Sequence, residues 1–472
     1  MNYDVIIIGN TPAGRYAAYT AALWEARVAL VTQKISFSSE ADWFYDLTLT
    51  QLTQIARQWE NIQPTASPPL ETYQQWAQEV IEVMEEETAL VKLAAKGIDI
   101  IDGKGEFCRL PQQAFIVNHE KLQARAYIIA TETSSIIPQV PDLLEIGYLT
   151  LSEIREKKNL ESLPQNLTII GQTPTAISLA QTLAKLKKNI TLSLVEPQLL
   201  PTEDREITYL LQAQLEADGI QVLTASPLLQ VRTIDGHKWL QLGRYAIETE
   251  ELILFPESRP NVEGLNLEGV RVNYTKQGLV LNEKLQTTNR KIYGCGCIAG
   301  GYPFFNIAQH EVEIALKNAL FFPRSTVNYQ SIPWVISTSP PLARVGMTEA
   351  QAKRRYGEKI LIIKENFKSN LISLIQGETT GLLKLVLHHN GEILGGHIFG
   401  NHAEELVNVI AIALSRKLKI KQLSAIYFPS KTVSQLLTNA VKKWEKYYYQ
   451  SHPVLRELRK RYFLLCRHWT SH

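Results

Sequence analysis

Two short loops in this chain carry residue types that can hold a phosphate, and one cysteine pair is separated by a single glycine. The loops read Gly9-Asn10-Thr11-Pro12-Ala13-Gly14 and Gly171-Gln172-Thr173-Pro174-Thr175-Ala176. In a dinucleotide loop the first glycine makes a tight turn and the second lets backbone approach pyrophosphate. The third lets the helix pack on the strand. The first loop keeps the outer two glycines, while Thr11 and Thr173 stand at the points of closest approach. An acid closing the next strand would bind a ribose diol. That place falls on Thr32 in the first unit and on Glu196 in the second. Cys295-Gly296-Cys297 could only close a short, strained ring, which disulfide geometry disfavours. The expectation is that these cysteines fill apolar space. Cys108 and Cys466 make no metal-ligand spacing with them, so no metal site is expected.

The elements that must position these residues follow from periodicity. "YDVIIIG", "RYAAYTAALWEA" and "RVALVTQ" read as strand, helix and strand, a βαβ unit. The pattern returns in "LTIIGQTPTAISLAQTLAKLKKNITLSLVEP", which predicts a second nucleotide-type domain. Between them, Leu47 to Lys96 reads as two long helices broken by the proline-rich "IQPTASPPLE", followed by strands ending in "AYIIATE". From about Val327 the texture changes to an α+β domain. "GLLKLVLHHNGEILGGHIFG" predicts a hairpin turning at Asn390-Gly391, with "AEELVNVIAIALSRKL" as an amphipathic helix after it.

The chain has 472 residues, 45% hydrophobic and 20% charged, with a net charge of +2, which excludes a strongly basic nucleic-acid binder. Four cysteines cannot form a disulfide scaffold, and the start shows no signal peptide, so a cytoplasmic setting is expected. The tail 441–472 carries eight Lys/Arg against two Glu, interleaved with aromatic residues. Pro453 suits a first helical turn, after which Val454, Leu458, Tyr462, Leu465 and Trp469 share one face. Such a basic amphipathic helix docks on a protein partner or an anionic membrane surface, or packs on its own domain; all three readings stay open.

With these residues in view, the chain resembles the flavin-dependent pyridine nucleotide–disulfide oxidoreductases from Tyr3 to about Ala440. The segments that carry the resemblance include "IIAT", "LLPTEDREI", "RPNVEGL", "IYGCGCIAGG", "RVGMTEAQA", "GETTGLLKLV" and "ILGGHIFGNHAEEL". The resemblance implies an α/β fold with two Rossmann-like dinucleotide-binding domains plus an α+β dimerisation domain. Residues 1–150 and 285–326 would be the FAD-type domain, 151–284 the NAD(P)H-type domain and 327–440 the dimerisation domain of a homodimer. It places cofactor contacts at Gly9, Thr11, Gly14, Thr131, Gly296 and Cys297 for FAD, and at Gly171, Ala176 and Glu196 for NAD(P)H.

The resemblance also implies parts that are absent here. The family's redox cysteine pair would fall between Gln33 and Thr50, where no cysteine stands. The lysine after that pair is missing, and Ser178 stands in place of its glutamate partner. The flavin-binding acid is Cys297, the glycine after "AT" is Glu132, and "YFPSKTVSQLL" lacks the catalytic histidine. His389 and His397 are nearby, but read as a hairpin residue and a strand end rather than as bases. No catalytic residue is therefore expected, FAD binding is expected to be weakened, and NAD(P)H is expected only at the second site. Two readings result: first, a dimeric pseudoenzyme scaffold without disulfide reductase activity. The alternative is a flavoprotein passing electrons from NAD(P)H to a non-thiol acceptor such as a quinone.

Overall fold

The computed structural model describes residues 2–33, 45–53, 70–87, 89–109, 111–156, 162–301 and 304–469. The chain divides into two compact units, one of 1–199 with 215–329 and the other of 200–214 with 330–472.

The first unit is built on a five-stranded parallel sheet in the order Ile292–Gly294, Ala124–Ile129, Tyr3–Ile8, Val28–Thr32, Asp99–Asp102. Side chains alternate across a strand, so Val5 and Ile7 face the helices Pro12–Leu23 and Phe305–Leu320. Ile6 and Ile8 face Phe107 and Phe115 on the other side. Ala13, Ala17 and Ala21 give the first helix a flat face for that packing, and Cys295 is buried in the same cluster. A second parallel sheet, in the order Gln221–Leu223, Asn189–Ser193, Asn166–Ile170, Glu251–Leu254, carries the helix Pro174–Lys185. An antiparallel sheet of Leu228–Ile234, His237–Leu242 and Tyr245–Thr249 adjoins it in sequence. Of the two long helices expected over Leu47 to Lys96, one covers 45–53 and another Leu70–Glu87. The proline-rich break between them lies outside the described residues.

The second unit contains a five-stranded antiparallel sheet in the order Trp334–Ile336, Leu342–Gly346, Ile393–Phe399, Leu382–His388, Ile360–Asn366. Its central hairpin turns through Asn390 and Gly391 as the sequence predicts. The helices Ala403–Ser415 and Gln435–Ser451 cover the core. Within this unit Lys384 is 2% exposed and holds three carboxylates, Glu349 at 2.8 Å, Asp204 at 2.9 Å and Glu206 at 3.2 Å. Arg344 pairs with the buried Glu203 at 2.7 Å. His397 lies within the strand Ile393–Phe399, its Nε2 3.0 Å from the Met347 carbonyl. Burial, with Arg344 beside it, pushes its imidazole down to about 4, so it is a neutral core residue at ordinary pH.

Candidate functional site

The two loops are near copies of one another. Each follows the last residue of a central parallel strand, and each first glycine bonds the strand beside it: Gly9 N–H to the Val31 carbonyl at 3.0 Å, Gly171 N–H to the Ser193 carbonyl at 3.2 Å. Both glycines have positive φ, +122° and +153°. A Cβ on Gly9 would lie 2.2 Å from the Ala130 carbonyl oxygen, and one on Gly171 would lie 2.5 Å from the Phe255 Cβ. The tight turn that opens a dinucleotide loop is therefore present in both. Gly14 is equally constrained, since a Cβ there would come within 2.0 Å of the Gly9 oxygen. Ala176 at the matching position does carry a Cβ.

The threonines do a different job from the glycines they replace. Thr11 and Thr173 are the N-caps of Pro12–Leu23 and Pro174–Lys185, accepting from Gly14 N–H and Ala176 N–H, each at 3.1 Å. The Thr11 hydroxyl also donates to the Ala130 carbonyl at 2.7 Å. Its side chain is thus turned into the protein rather than out over the loop. A Thr-Pro pair at the start of an alanine-rich helix is a capping signal, and this role was readable from sequence. Thr131 is buried and spends its hydroxyl on the Asn261 carbonyl at 2.9 Å, so it ties the strand end to the chain after Pro260. Glu196 is half-buried near the end of Asn189–Ser193, its N–H bonded to Gln172 of the second loop at 3.3 Å.

The cysteine turn sits beside the first loop. Cys295 N–H bonds the Ile129 carbonyl at 3.1 Å, and Gly296, at φ +72°, comes so close that a Cβ would meet the Ala13 Cβ at 3.0 Å. Cys295 fills core as expected, but Cys297 does not: it is exposed, and both thiols are free. Two residues that sequence reading passed over organise this turn. Glu311 is buried, and accepts from Gly296 N–H at 2.7 Å and from the Tyr329 hydroxyl at 2.8 Å. Burial raises its carboxyl above the usual range, against the pull of those two hydrogen bonds. Desolvation and the nearby Glu311, with Glu132 a smaller influence, push the Cys297 thiol up. Thiolate is the reactive form. Alkylation of Cys297 by iodoacetamide at pH 7 is therefore expected to run slower than that of a free peptide cysteine, and to quicken into the alkaline range. Peptide mass spectrometry across pH checks this, and a fast reaction at pH 7 would contradict it.

Glu132 changes the electrostatics of the same region less than its charge suggests. Burial raises its carboxyl to about 7, with Arg15 opposing the shift, so near neutrality a large fraction of it is uncharged. Weakened FAD binding is expected from Thr11, Thr32, Glu132 and Cys297; of these, Thr11 is folded into the helix cap and Glu132 can be neutral, so neither bars a dinucleotide from the loop. The expected position of the redox cysteine pair lies mostly in 34–44, outside the described residues.

Residues 3–312 match the family model described as Pyridine nucleotide-disulphide oxidoreductase, and residues 332–441 match that family's dimerisation domain. The mercuric reductase of Staphylococcus aureus is 29% identical over 374 residues, covering 78% of this chain and 67% of that protein. A dihydrolipoyl dehydrogenase of Bacillus subtilis (strain 168) is 27% identical over 472 residues, covering 93% and 97%. The HOCl-induced flavoprotein disulfide reductase RclA from Escherichia coli superimposes with a TM-score of 0.80 at 21% identity, over 93% of this chain and 99% of that one, which shows a shared fold. These relatives are named as working redox enzymes, and they overturn the expectation of a pseudoenzyme scaffold without reductase activity. In the structure, both strand–turn–helix loops keep a first glycine that admits no side chain. No described helix is long and apolar enough to cross a membrane.

Proposed function

The chain belongs to the pyridine nucleotide-disulphide oxidoreductase family, and on that premise we propose that it is an FAD-dependent reductase driven by NAD(P)H, working as a homodimer. The observation that carries this reading is the pair of matched strand–turn–helix loops, each with a first glycine that tolerates no side chain. Residues 1–150 and 285–326 are assigned to the flavin, 151–284 to the nicotinamide nucleotide and 327–440 to dimerisation. Gly9, Gly14 and the Gly296–Cys297 turn would hold FAD, with Thr11 capping the helix that leaves the loop and Thr131 fixing the strand end beneath them. Gly171, Ala176 and Glu196 would hold NAD(P)H, Glu196 accepting from ribose hydroxyls. When bound, FAD supplies the carrier that takes two electrons from the reduced nicotinamide and passes them on. Around it, Glu311 and Tyr329 hold the Gly296 turn in place, and Glu132, raised to about 7, is divided between its charged and neutral forms near neutral pH.

Purified full-length chain is expected to be yellow and to show a flavin spectrum that NADH or NADPH bleaches anaerobically. Oxidised lipoamide and mercuric ion are the first acceptors to try for reoxidation. Colourless protein that takes up neither FAD nor NAD(P)H when either is supplied would overturn the reading.

A further inference from the structure

The last described helix, Pro453–Trp469, is the largest exposed apolar feature at the end of the chain. Winding at 3.6 residues per turn puts Val454, Leu455, Leu458, Tyr462 and Leu465 in one sector without a charge among them. All five are open to solvent, from 42% for Leu455 to 71% for Val454. The opposite sector holds Arg456, Lys460 and Arg467, with Glu457 as the helix's single acid, and Arg459 and Arg461 stand at the two margins of the apolar strip. Arg459 lies over the rings of Tyr449 and Phe463, 5.0 and 5.7 Å from their centroids, which holds its charge at the margin.

We propose that this helix binds the surface of an anionic lipid bilayer, lying in the plane of the interface with its apolar strip among the acyl chains and its arginines at the headgroups. The inference is independent of the redox reading and goes beyond it. A strip of aliphatic and aromatic residues edged by arginine, on a helix too polar to span, is the pattern of interfacial binding. Charge selects the occupant. A second copy of the same helix would bring two arginine-lined margins together, and like charges along both edges repel. An anionic surface attracts each of those arginines. The mixed character of the helix, polar on most of its circumference, keeps the rest of the chain in water.

The test uses full-length protein sedimented with vesicles of phosphatidylcholine alone, or of equal parts phosphatidylcholine and phosphatidylglycerol. The expected result is co-sedimentation with the anionic vesicles only, weakened by high salt. Leu458→Glu with Leu465→Glu should reduce partition by at least about tenfold, since two apolar side chains then have to carry charge into the interface. Arg459→Gln with Arg461→Gln, at the two margins, should reduce the preference for phosphatidylglycerol. Because these side chains are exposed, the circular dichroism melt should not move in either variant. Protein that stays in the supernatant with both vesicles, or binds both equally, overturns the proposal. So does partition that the leucine variant leaves unchanged. Self-association in the absence of lipid, abolished by the leucine variant while vesicles bind nothing, overturns it in favour of a second copy.

Discussion

Replacing Lys384 by methionine is expected to destabilise the second unit by about 3–5 kcal/mol at pH 7, the range for removing one partner of a buried ion pair. Lys384 is almost wholly buried and is shared by Asp204, Glu206 and Glu349. Methionine fills similar volume, so the loss is electrostatic rather than a cavity. Asp204 is itself buried and would keep its charge with its closest cation gone. The pH dependence identifies the mechanism. Burial works to raise the Glu349 carboxyl, but hydrogen bonds from Lys353 and Lys384 hold it down at about 2. A depressed acid contributes stability above its unfolded value of about 4.3 that is lost as pH falls towards 2. In the methionine variant this acid-side loss should shrink, so the deficit is greatest near pH 7 and narrows towards pH 3. Urea denaturation from pH 3 to 8, followed by a probe in the sheet, measures it. Adding Asp204→Asn should restore part of the loss. A deficit that is constant with pH would show that packing, not charge, was removed.

The positions that sequence exposed and those it hid differ in how far apart the partners lie. Gly9, Gly171 and the Asn390-Gly391 turn are local: each follows from what one glycine does to one turn, and the structure shows each turn where it was expected. Glu311 had no such signal. It sits in a helix pattern as an ordinary charged residue, and its partners, Gly296 and Tyr329, come from other segments. Thr11 was misjudged for a different reason. Comparing it with the glycine it replaces asks only what was lost, whereas its hydroxyl found an N-cap bond and the Ala130 carbonyl. A count of missing contacts leaves out the new partners that changed side chains acquire.

Asp46→Asn is expected to remove a pH dependence that wild-type stability carries across neutrality. Asp46 lies in the helix over 45–53, 4% exposed, with a hydrogen bond from Ser178 and, among the described residues, no partner for Oδ1. Ser178 in turn lies 2.9 Å from the Thr50 hydroxyl, which is 3.1 Å from that of Thr182. This neutral hydroxyl chain offers no cation to a charged carboxyl. Burial raises the Asp46 carboxyl to about 8, and Ser178 opposes the shift only in part. The sign follows from proton counting. Below the unfolded value of about 3.9 both states hold the proton, and stability is undiminished. Between there and about 8 the unfolded chain ionises while the folded one does not, so stability falls by up to about 1.4 kcal/mol per pH unit and levels off above that window. The amide cannot ionise, and its profile should be flatter across the same window. Between pH 5 and pH 8 the difference between the two profiles should change by several kcal/mol in the variant's favour. The slope is the diagnostic quantity, because the amide N–H group introduces a buried donor whose cost shifts the whole curve without tilting it. Infrared spectroscopy gives a direct check, since the carbonyl band of protonated carboxyls at pH 7, to which Glu132 also contributes, should lose the Asp46 share of its intensity in the variant. Parallel stability profiles, or a band of equal intensity in the two proteins, would mean that Asp46 is ionised and has a partner that the described residues do not include.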